Sequence, residues 1–540
     1  MHQTTSIPRL PVILSVLATL ICLHCGQQPP ASHRLNRVRV LMTNEPKSLS
    51  LIGKTDRNAE IVASQIADGL LQYNADLTIQ PALAESWEFS EDQRSITFHL
   101  RAGVRWHDGT PFNAEDVVYT VNLIRDPATE NRSFGPKFGS LVSITAIDEL
   151  SVTAVFDQAS PDILHAWWFP IIPQHLVEPG KGIIEGTFKY HPIGTGPFRF
   201  LSYTPGVEIV LEANDDHWAG RPVIDQLAFK FYPEQRTAYQ ELLAGNLDLA
   251  PVTYDLYEEA RNSPDTDHID AIMYSRFSVW QLALNQDGSN PFFGDPRVRI
   301  ALVQALDRES FIANVLFDAA RPGITSYHPD TVWADPSIAP WPYDQAAAKR
   351  LLDEAGWQDT DGDGIRDKDG QPFRFTLMIS ASSQKIVDYM AAWEQESWRA
   401  LGLDVEIEKL EWLAFREKRN AHQFDALSAG FTFGPEPDQT ELYHSSSREH
   451  GFNFFGLDDP EIDRLLEAGT STFDDAARIA IYHELQRRLH ETEPLTCLFY
   501  FSTPVLFDRE LKGITPSPRD IYRISTGPRL WHWADIPTGM

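Results

Sequence analysis

Cysteine is nearly absent from this chain of 540 residues. Its three cysteines are Cys22, Cys25 and Cys497, and the first two stand in an apolar segment close to the N-terminus. Cys497 lies in the apolar run LTCLFYF, which predicts a buried and inert thiol. The sequence therefore excludes a disulfide framework, and a large hydrophobic core must stabilise the fold.

Positive charge is also scarce, because 46 Lys and Arg residues face 76 Asp and Glu residues and leave a formal net charge of -30. Such an acidic surface repels phosphate backbones and anionic lipid headgroups, so nucleic-acid binding is a poor hypothesis. Hydrophobic residues make up 42% of the chain and charged residues 23%, which is typical of a folded globular protein. The length predicts three or four units of about 150 residues each.

Catalytic signatures are missing as well. The sequence contains no G-x-S-x-G, no H-E-x-x-H and no Walker loop. GTGPF, residues 194–198, lacks the third glycine of a dinucleotide fingerprint and predicts a tight turn before the strand FRFLSY. The 17 histidines are spread along the chain and suggest no metal centre. We therefore expect neither an enzyme nor a cofactor.

A long apolar run occurs once, over residues 10–23, after the single basic residue Arg9. About 14 apolar residues suit the core of a signal peptide and are too few for a comfortable membrane span. We predict that residues 1–25 form an export leader, with a buried first helix as the alternative. Cys25, followed by Gly26 and a proline-rich stretch, resembles the lipid-accepting cysteine of bacterial lipoproteins. The preceding residues depart from the usual lipoprotein pattern, so a periplasmic protein and an anchored lipoprotein both remain open.

Strand and helix patterns alternate along the rest of the chain. Residues 36–42, 95–101 and 373–379 have the period of strands, and residues 58–71 have helical spacing. TAYQELLAG and AAAKRLLDEAG predict helices that end at a glycine, and residues 298–317 predict one or two helices. This alternation predicts an α/β fold.

An aspartate-rich loop, DTDGDGIRDKDG, is the most conspicuous local motif. Positions 1, 3, 5 and 9 of an EF-hand-like loop are occupied by Asp359, Asp361, Asp363 and Asp367. Position 12 is Gly370, where an EF-hand requires a bidentate glutamate. The loop is therefore interpreted as an acidic surface turn between a helix and a strand, with a weak calcium site as the alternative.

The stretch AGFTFGPEPDQTELYH predicts a strand that ends in a sharp turn. Phe431 and Phe433 fall on one side of this strand, and Thr432 falls on the other. Gly434 and the two prolines that follow stop regular pairing. The pattern fits either a simple strand end or one wall of a pocket.

Five blocks follow one another along the chain. The first two are ALAESWEFSEDQRSITFHLRAGVRWHDGTPFNAEDVVYTV and PIGTGPFRFLSYTPGVEIVLEANDDHWAGRPVIDQLAFKF. The next three are DPRVRIALVQALDRESFI, GWQDTDGDGIRDKDGQPFRFTL and GFNFFGLDDPEIDRLLEAG. In this order the five blocks resemble the large solute-binding proteins of peptide- and nickel-type ABC importers, solute-binding family 5. The resemblance covers nearly all of the chain after the leader.

The resemblance implies a two-lobed fold like that of periplasmic binding proteins, of type II and the large cluster C form. Lobe I is expected to comprise residues 36–79, 192–276 and 502–540, with an extra domain over residues 80–191. Lobe II is expected over residues 277–501, and the crossings near Phe277 and Phe501 would form a hinge. Closure of two lobes buries a small solute, and a membrane permease then recognises the closed form.

In peptide-binding members of the family, the segment that matches residues 430–437 carries an aspartate that holds the α-ammonium of the peptide. Gly434 matches that position here, and Glu436 or Asp438 could substitute only in a changed register. An ammonium group buried without a partner costs several kcal/mol. The resemblance thus favours a capped, modified or hydrophobic peptide-like solute. The residues expected to face the pocket are Trp280, Tyr327, Trp412, Phe431, Thr432, Phe433 and Asn453.

The preferred hypothesis is therefore an exported, monomeric, non-enzymatic component that delivers a peptide-like solute to an ABC permease. A second hypothesis keeps the same fold but binds a metal chelate, a sugar or haem. A ligand sensor or chaperone that never meets a permease is a third. An exported hydrolase is a fourth, and the missing nucleophile–base signature argues against it.

Overall fold

The fold is given by a computed structural model that describes residues 36–52, 56–129, 134–177, 190–381, 385–449 and 451–535. The predicted leader over residues 1–25, with Cys25, lies outside these ranges. Within them, none of the helices combines the length and the apolar content that a membrane crossing needs.

Strands and helices alternate as predicted. The strands are β1 Arg37–Met42, β2 Leu71–Tyr73, β3 Ile79–Pro81, β4 Ala84–Phe89, β5 Ser95–Leu100, β6 Leu141–Asp148, β7 Ser151–Phe156, β8 Phe198–Thr204, β9 Glu208–Ala213, β10 Gln226–Phe231, β11 Leu249–Pro251, β12 Ile269–Leu284, β13 Ala320–Pro322, β14 Asp367–Lys368, β15 Gln371–Pro372, β16 Arg374–Ser380, β17 Asp404–Leu410, β18 Ala426–Thr432, β19 Leu495–Asp508, β20 Leu511–Lys512 and β21 His532–Trp533. The helices are α1 Arg57–Ile66, α2 Ala114–Arg125, α3 Gln235–Leu243, α4 Tyr254–Asn262, α5 Pro296–Gln304, α6 Arg308–Val315, α7 Gln345–Glu354, α8 Lys385–Arg399, α9 Trp412–Asn420, α10 Thr440–Tyr443, α11 Pro460–Ser471 and α12 Asp475–Thr492.

One sheet of 11 strands runs through the molecule in the order β17-β16-β18-β12-β19-β11-β1-β10-β9-β8, with β13 paired to β19. The long antiparallel strands β12 and β19 stand at its centre, and their register shifts between Ser275 and Val279 and between Trp280 and Gln281. A separate four-stranded sheet has the order β4-β5-β7-β6.

The buried hydrophobic residues divide at the first of these register shifts, between Ser275 and Val279. Two clusters draw on residues 38–274 and 505–533. Three other clusters draw on residues 279–500. The four-stranded sheet shares the largest cluster with β1, β9 and β10, so residues 80–191 have their own sheet but not their own core.

Local signals explain several element boundaries. Asp307 separates α5 from α6, and its side chain accepts a hydrogen bond from the Ser310 amide as an N-cap. Gly245 and Gly356, with φ of 73° and 88°, follow the ends of α3 and α7 as predicted. Asn113 and Asp116 form a capping box at α2.

The predicted helix over residues 58–71 is too long. α1 ends at Ile66 because Ala67 is extended, with φ of -135° and ψ of 134°. Gly69, inside the predicted range, lies beyond the helix and allows close packing, since a Cβ there would lie 2.7 Å from the Trp168 carbonyl carbon. A Cβ at Gly194 would similarly overlap the Ile66 carbonyl, so the turn of GTGPF packs against the end of α1 before β8 begins.

Candidate functional site

Strand β18 has a partly open edge. Along one side it pairs with β12 from Ala426 to Thr432, whereas β16 pairs only with Ala426, Leu427 and Ser428. Gly430, Thr432 and Gly434 are exposed, and Phe431 and Phe433 are half-buried. Within the described ranges, the end of β18 therefore offers backbone groups and small side chains rather than an exposed aromatic wall.

Glu436 fills the space beside Gly434. A Cβ added at Gly434 would overlap the Glu436 Oε2 atom, although the backbone of Gly434 is not in the left-handed region. The turn is fixed from behind by Tyr327, whose hydroxyl donates to the Pro437 carbonyl at 2.9 Å. The Glu436 carboxylate thus lies beside residue 434, where the sequence has no acidic side chain.

Lys137 faces this carboxylate from the segment before β6. Its Nζ lies 2.6 Å from Glu436 Oε1, and 16% of the Glu436 side chain is exposed. Burial acts to raise the pKa of Glu436, but Lys137 and His165 outweigh burial and hold that pKa below its usual value. Glu436 is therefore an ionised, largely buried carboxylate at neutral pH.

A second ion pair, between Asp162 and Arg478, joins the same two parts of the chain. Burial raises the pKa of Asp162 to about 6, and Arg478 opposes that shift. Arg478 also donates to the Gly469 carbonyl at 2.8 Å and lies over the rings of Trp333 and Tyr482. We call Lys137–Glu436 and Asp162–Arg478 the facing ion pairs.

An aromatic cavity of about 730 Å³ lies near the facing ion pairs, and we call it the Tyr73 cavity. The guanidinium of Arg519 lies 4.6 Å from the ring centre of Tyr73 and 3.9 Å from that of Trp168. The Tyr73 hydroxyl is 2.8 Å from His165 Nδ1, and Glu60 and Gln72 also line the cavity. Its size and its few polar groups among aromatic rings suit a small organic ligand.

Three of the predicted pocket residues are buried and hydrogen-bonded within the protein. Trp280 donates its indole N–H to Ser428 Oγ at 2.7 Å, and Tyr327 holds the turn described above. Asn453 is fully buried, with its amide bonded to the His444 and Leu457 carbonyls and to the Leu457 N–H. A hydrogen bond from Asn453 to a ligand would have to replace one of these.

The other predicted pocket residues lie at or near the surface. Trp412, the first residue of α9, is 55% exposed and stacks on Phe415. Phe431 stacks on Phe454 with 5.8 Å between ring centres, and Phe433 packs against the same buried cluster. Phe431, Thr432 and Phe433 thus lie at the end of β18 and Trp412 lies on a separate helix, and their contact with a ligand stays a prediction.

The aspartate-rich loop is an exposed turn between α7 and β16, and three of its four predicted ligands converge. Carboxylate oxygens of Asp359, Asp361 and Asp363 lie within 4.8 Å of one another. Asp367 instead accepts hydrogen bonds from the Thr360 amide and hydroxyl. It belongs to the hairpin of β14 and β15, which draws it away from the other three.

A serine and a histidine meet beside the register shift of β12, but their protonation does not suit nucleophilic catalysis. Ser275 Oγ is 2.9 Å from His328 Nε2. The backbone N–H of Asp330 donates to His328 Nδ1 at 3.2 Å, so the imidazole proton sits on Nε2 and points at the serine. His328 cannot then accept the serine proton.

Sequence reasoning missed the residues that face the turn from elsewhere. Lys137 and Glu436 are 299 residues apart, and Asp162 and Arg478 are 316 apart. Each is a single charge in an unremarkable stretch, so no spacing rule could have paired them.

Comparisons with known proteins agree with this fold. The family model of bacterial extracellular solute-binding proteins, family 5 (middle), matches residues 78–453. Oligopeptide-binding protein AppA of Bacillus subtilis is 30% identical over 501 residues, which cover 89% of each chain.

Solved structures give the same result. The structure of Bacillus subtilis AppA in complex with a nonapeptide has a TM-score of 0.74 at 28% identity, covering 92% of this chain and 99% of that one. NikA from Brucella suis in complex with Fe(III)-EDTA has a TM-score of 0.80 at 25% identity, with the same coverage. These relatives are binding proteins for transport rather than enzymes, and the α/β fold predicted from the sequence, that of periplasmic binding proteins, is confirmed. The chain belongs to the bacterial extracellular solute-binding proteins of family 5, the solute-binding proteins of ABC transporters.

Proposed function

We propose that this protein is exported, captures a peptide-like solute between two lobes, and delivers it to an ABC permease without chemical change. The lobes are those predicted from the sequence: residues 36–79, 192–276 and 502–540, with the extra domain at 80–191, against residues 277–501. The division of the buried clusters at β12 and β19 supports this boundary. The register shift in β12 supports a hinge there, because irregular pairing resists bending less than a regular ladder.

The observation that carries the proposal is the open edge of β18 ending at the Glu436 carboxylate. An extended peptide can add to such an edge through main-chain hydrogen bonds, and Gly430 and Thr432 leave room for its side chains. The α-ammonium of that peptide would then meet Glu436, sharing the carboxylate with Lys137 or displacing it. The sequence favoured a solute without a free amine, because no carboxylate stands at position 434. With Glu436 beside that position, we instead expect a peptide with a free N-terminal amine.

The first experiment asks which peptides the protein retains. The chain without its leader is incubated with a library of free-amine peptides of three to nine residues, matching the nonapeptide of the AppA complex at the upper limit. The same library with acetylated N-termini serves as the comparison, and native mass spectrometry reads the bound mass. We expect retention of free-amine peptides, with unchanged mass after release.

Glu436→Gln should weaken binding of a retained peptide by about 10- to 100-fold in calorimetry, because a hydrogen bond to a charged group is lost. The double variant Gly434→Asp, Glu436→Ala should recover much of that loss, since alanine removes the side-chain atoms that a Cβ at residue 434 would overlap. Glu441→Gln is the matched control, because Glu441 is exposed and lies five residues after Glu436. This variant should bind the peptide as the parent protein does.

If acetylated peptides are retained as well as free-amine peptides, the result would favour the capped or hydrophobic solute expected from the sequence. Retention of no peptide would favour a chelate, in line with the Fe(III)-EDTA complex of NikA. Permease delivery is tested separately, by stimulation of ATP hydrolysis in a permease from the same organism. A loaded protein that stimulates no permease would favour a sensor or chaperone.

A further inference from the structure

A second cavity, of about 710 Å³, lies on the other side of α1, and we call it the Arg276 cavity. Strand β1 runs parallel to both β10 and β11, and its last residues, Leu41 and Met42, line this cavity together with Pro251 at the end of β11. Open α/β sheets bind ligands in the crevice beyond the carboxyl ends of parallel strands. The Arg276 cavity occupies that position.

Two arginines line this cavity, and none of the described residues that line it with them is a carboxylate. Arg276 comes from β12 at its register shift, and Arg57 is the first residue of α1. In the described part of the chain, Arg276 has no carboxylate within ion-pair distance. The ion pair of Arg57 is a long one, 3.5 Å from Asp520 Oδ2.

The nearby carboxylates, Asp520 and Glu60, are both paired with a third arginine, Arg523. Asp520 accepts from Arg523 Nε at 2.7 Å and from the backbone amides of Tyr522 and Arg523. Glu60 accepts from Arg523 Nη1 at 2.8 Å. Arg57, Arg276 and Arg523 therefore share two carboxylates, which leaves an excess of positive charge in a protein whose net charge is -30.

The pKa of Arg57 agrees with an excess of three arginines over two carboxylates. Burial, followed by the positive charges of Arg276 and Arg523, lowers the pKa of Arg57 to about 10 against the pull of Asp520. Like charges held together at the cost of stability are typical of functional sites.

We propose that Arg57 and Arg276 bind an oxyanion, a carboxylate or a phosphate group, in the Arg276 cavity. Guanidinium groups present paired N–H donors that match both anions. The anion belongs either to the solute itself or to a separate small molecule. The first case rests on the proposed function above, and the second does not.

The test uses the chain without its leader and three free anions: inorganic phosphate, succinate and acetate. Thermal unfolding is followed against sodium chloride at equal ionic strength, because general screening also stabilises a strongly acidic protein. We expect stabilisation beyond chloride by at least one of the three anions. A second arm compares calorimetry of a retained peptide with that of its C-terminal amide.

Arg276→Gln is the decisive variant. It should weaken anion binding by about 10- to 100-fold, as expected for loss of a charge-assisted contact. It should leave the anion-free unfolding temperature unchanged or raise it, because one of two like charges is removed. Arg261→Gln, an exposed arginine paired with Glu258 on α4, is the matched control and should change neither result.

Stabilisation no greater than that by chloride, together with equal binding of peptide acid and amide, would overturn the inference. A lower anion-free unfolding temperature with unchanged anion binding in Arg276→Gln would overturn it too, by showing a structural role. Weaker binding of the amide alone places the anion on the solute, and binding of a free anion alone places it on a separate molecule. If free anions bind while no peptide does, the proposed function fails and this inference stands.

Discussion

The facing ion pairs and the Arg276 cavity differ in the balance between their positive and negative groups. In the facing ion pairs, each cation meets one carboxylate from a distant part of the chain. In the Arg276 cavity, positive groups outnumber the carboxylates close to them. The first arrangement is electrostatically complete within the protein, whereas the second gains from an added anion. A ligand ammonium at Glu436 must therefore share the carboxylate with Lys137 or displace it. An anion in the Arg276 cavity meets positive charge that the protein leaves unbalanced.

The largest effect should come from removing the carboxylate beside the Arg276 cavity. Asp520→Asn leaves Arg57 and Arg523 without their shared anion, and its side chain is almost fully buried. The free energy of unfolding should fall by about 3 to 5 kcal/mol, as when one partner of a buried pair is removed. Urea unfolding at neutral pH measures this change.

Asp215→Asn is the matched control for Asp520→Asn. Asp215 is paired with Arg221, but 67% of its side chain is exposed. Its loss should change the free energy of unfolding by about 1 kcal/mol or less. Similar losses in the two variants would contradict the view that Asp520 neutralises a buried excess of positive charge.

A smaller effect is expected from pH at the facing ion pairs. Burial lowers the pKa of His165 from 6.5 to about 4, with Lys137 and Arg478 acting in the same direction and Glu436 against it. Below pH 6.5, His165 binds a proton in the unfolded chain but stays neutral in the folded protein until the pH approaches 4. The resulting stability is present above pH 6.5 and is lost as the pH falls toward 4.

His165→Gln should remove this contribution, because glutamine keeps a partner for the Tyr73 hydroxyl but does not titrate. Between pH 6.5 and 4, the variant should lose about 1 to 2 kcal/mol less stability than the parent. Some dependence will remain, since burial lowers the pKa of His107 and His328 in the same way. Unfolding curves with the same pH dependence in both proteins would show that His165 is not protected from protonation.

Much of the fold was predictable because its signals are local. The strand of residues 373–379 was predicted from its periodicity and appears as β16. The predicted helix over residues 58–71 was too long because Ala67 is extended, and Gly69 beyond it packs against the Trp168 backbone. The pairing of β12 with β19 joins residues more than two hundred positions apart, which no local period reveals.

The candidate site was predictable only where it is continuous in sequence. The turn after Phe433 follows from its glycine and prolines, and Glu436 was recognised as a possible replacement for the missing aspartate. Its partner Lys137 and the charges of the Arg276 cavity come from distant segments, so their meeting depends on the tertiary fold. Asn453 was assigned to the pocket by its place in a family block, whereas its amide is used to shape a loop.

The central claim is that two lobes close around a solute at the open edge of β18. Small-angle X-ray scattering of the chain without its leader, with and without a retained free-amine peptide, tests it most directly. The account predicts a smaller radius of gyration with the peptide, and no such change for the Glu436→Gln variant at the same peptide concentration. Identical scattering curves for the parent protein with and without bound peptide would contradict it.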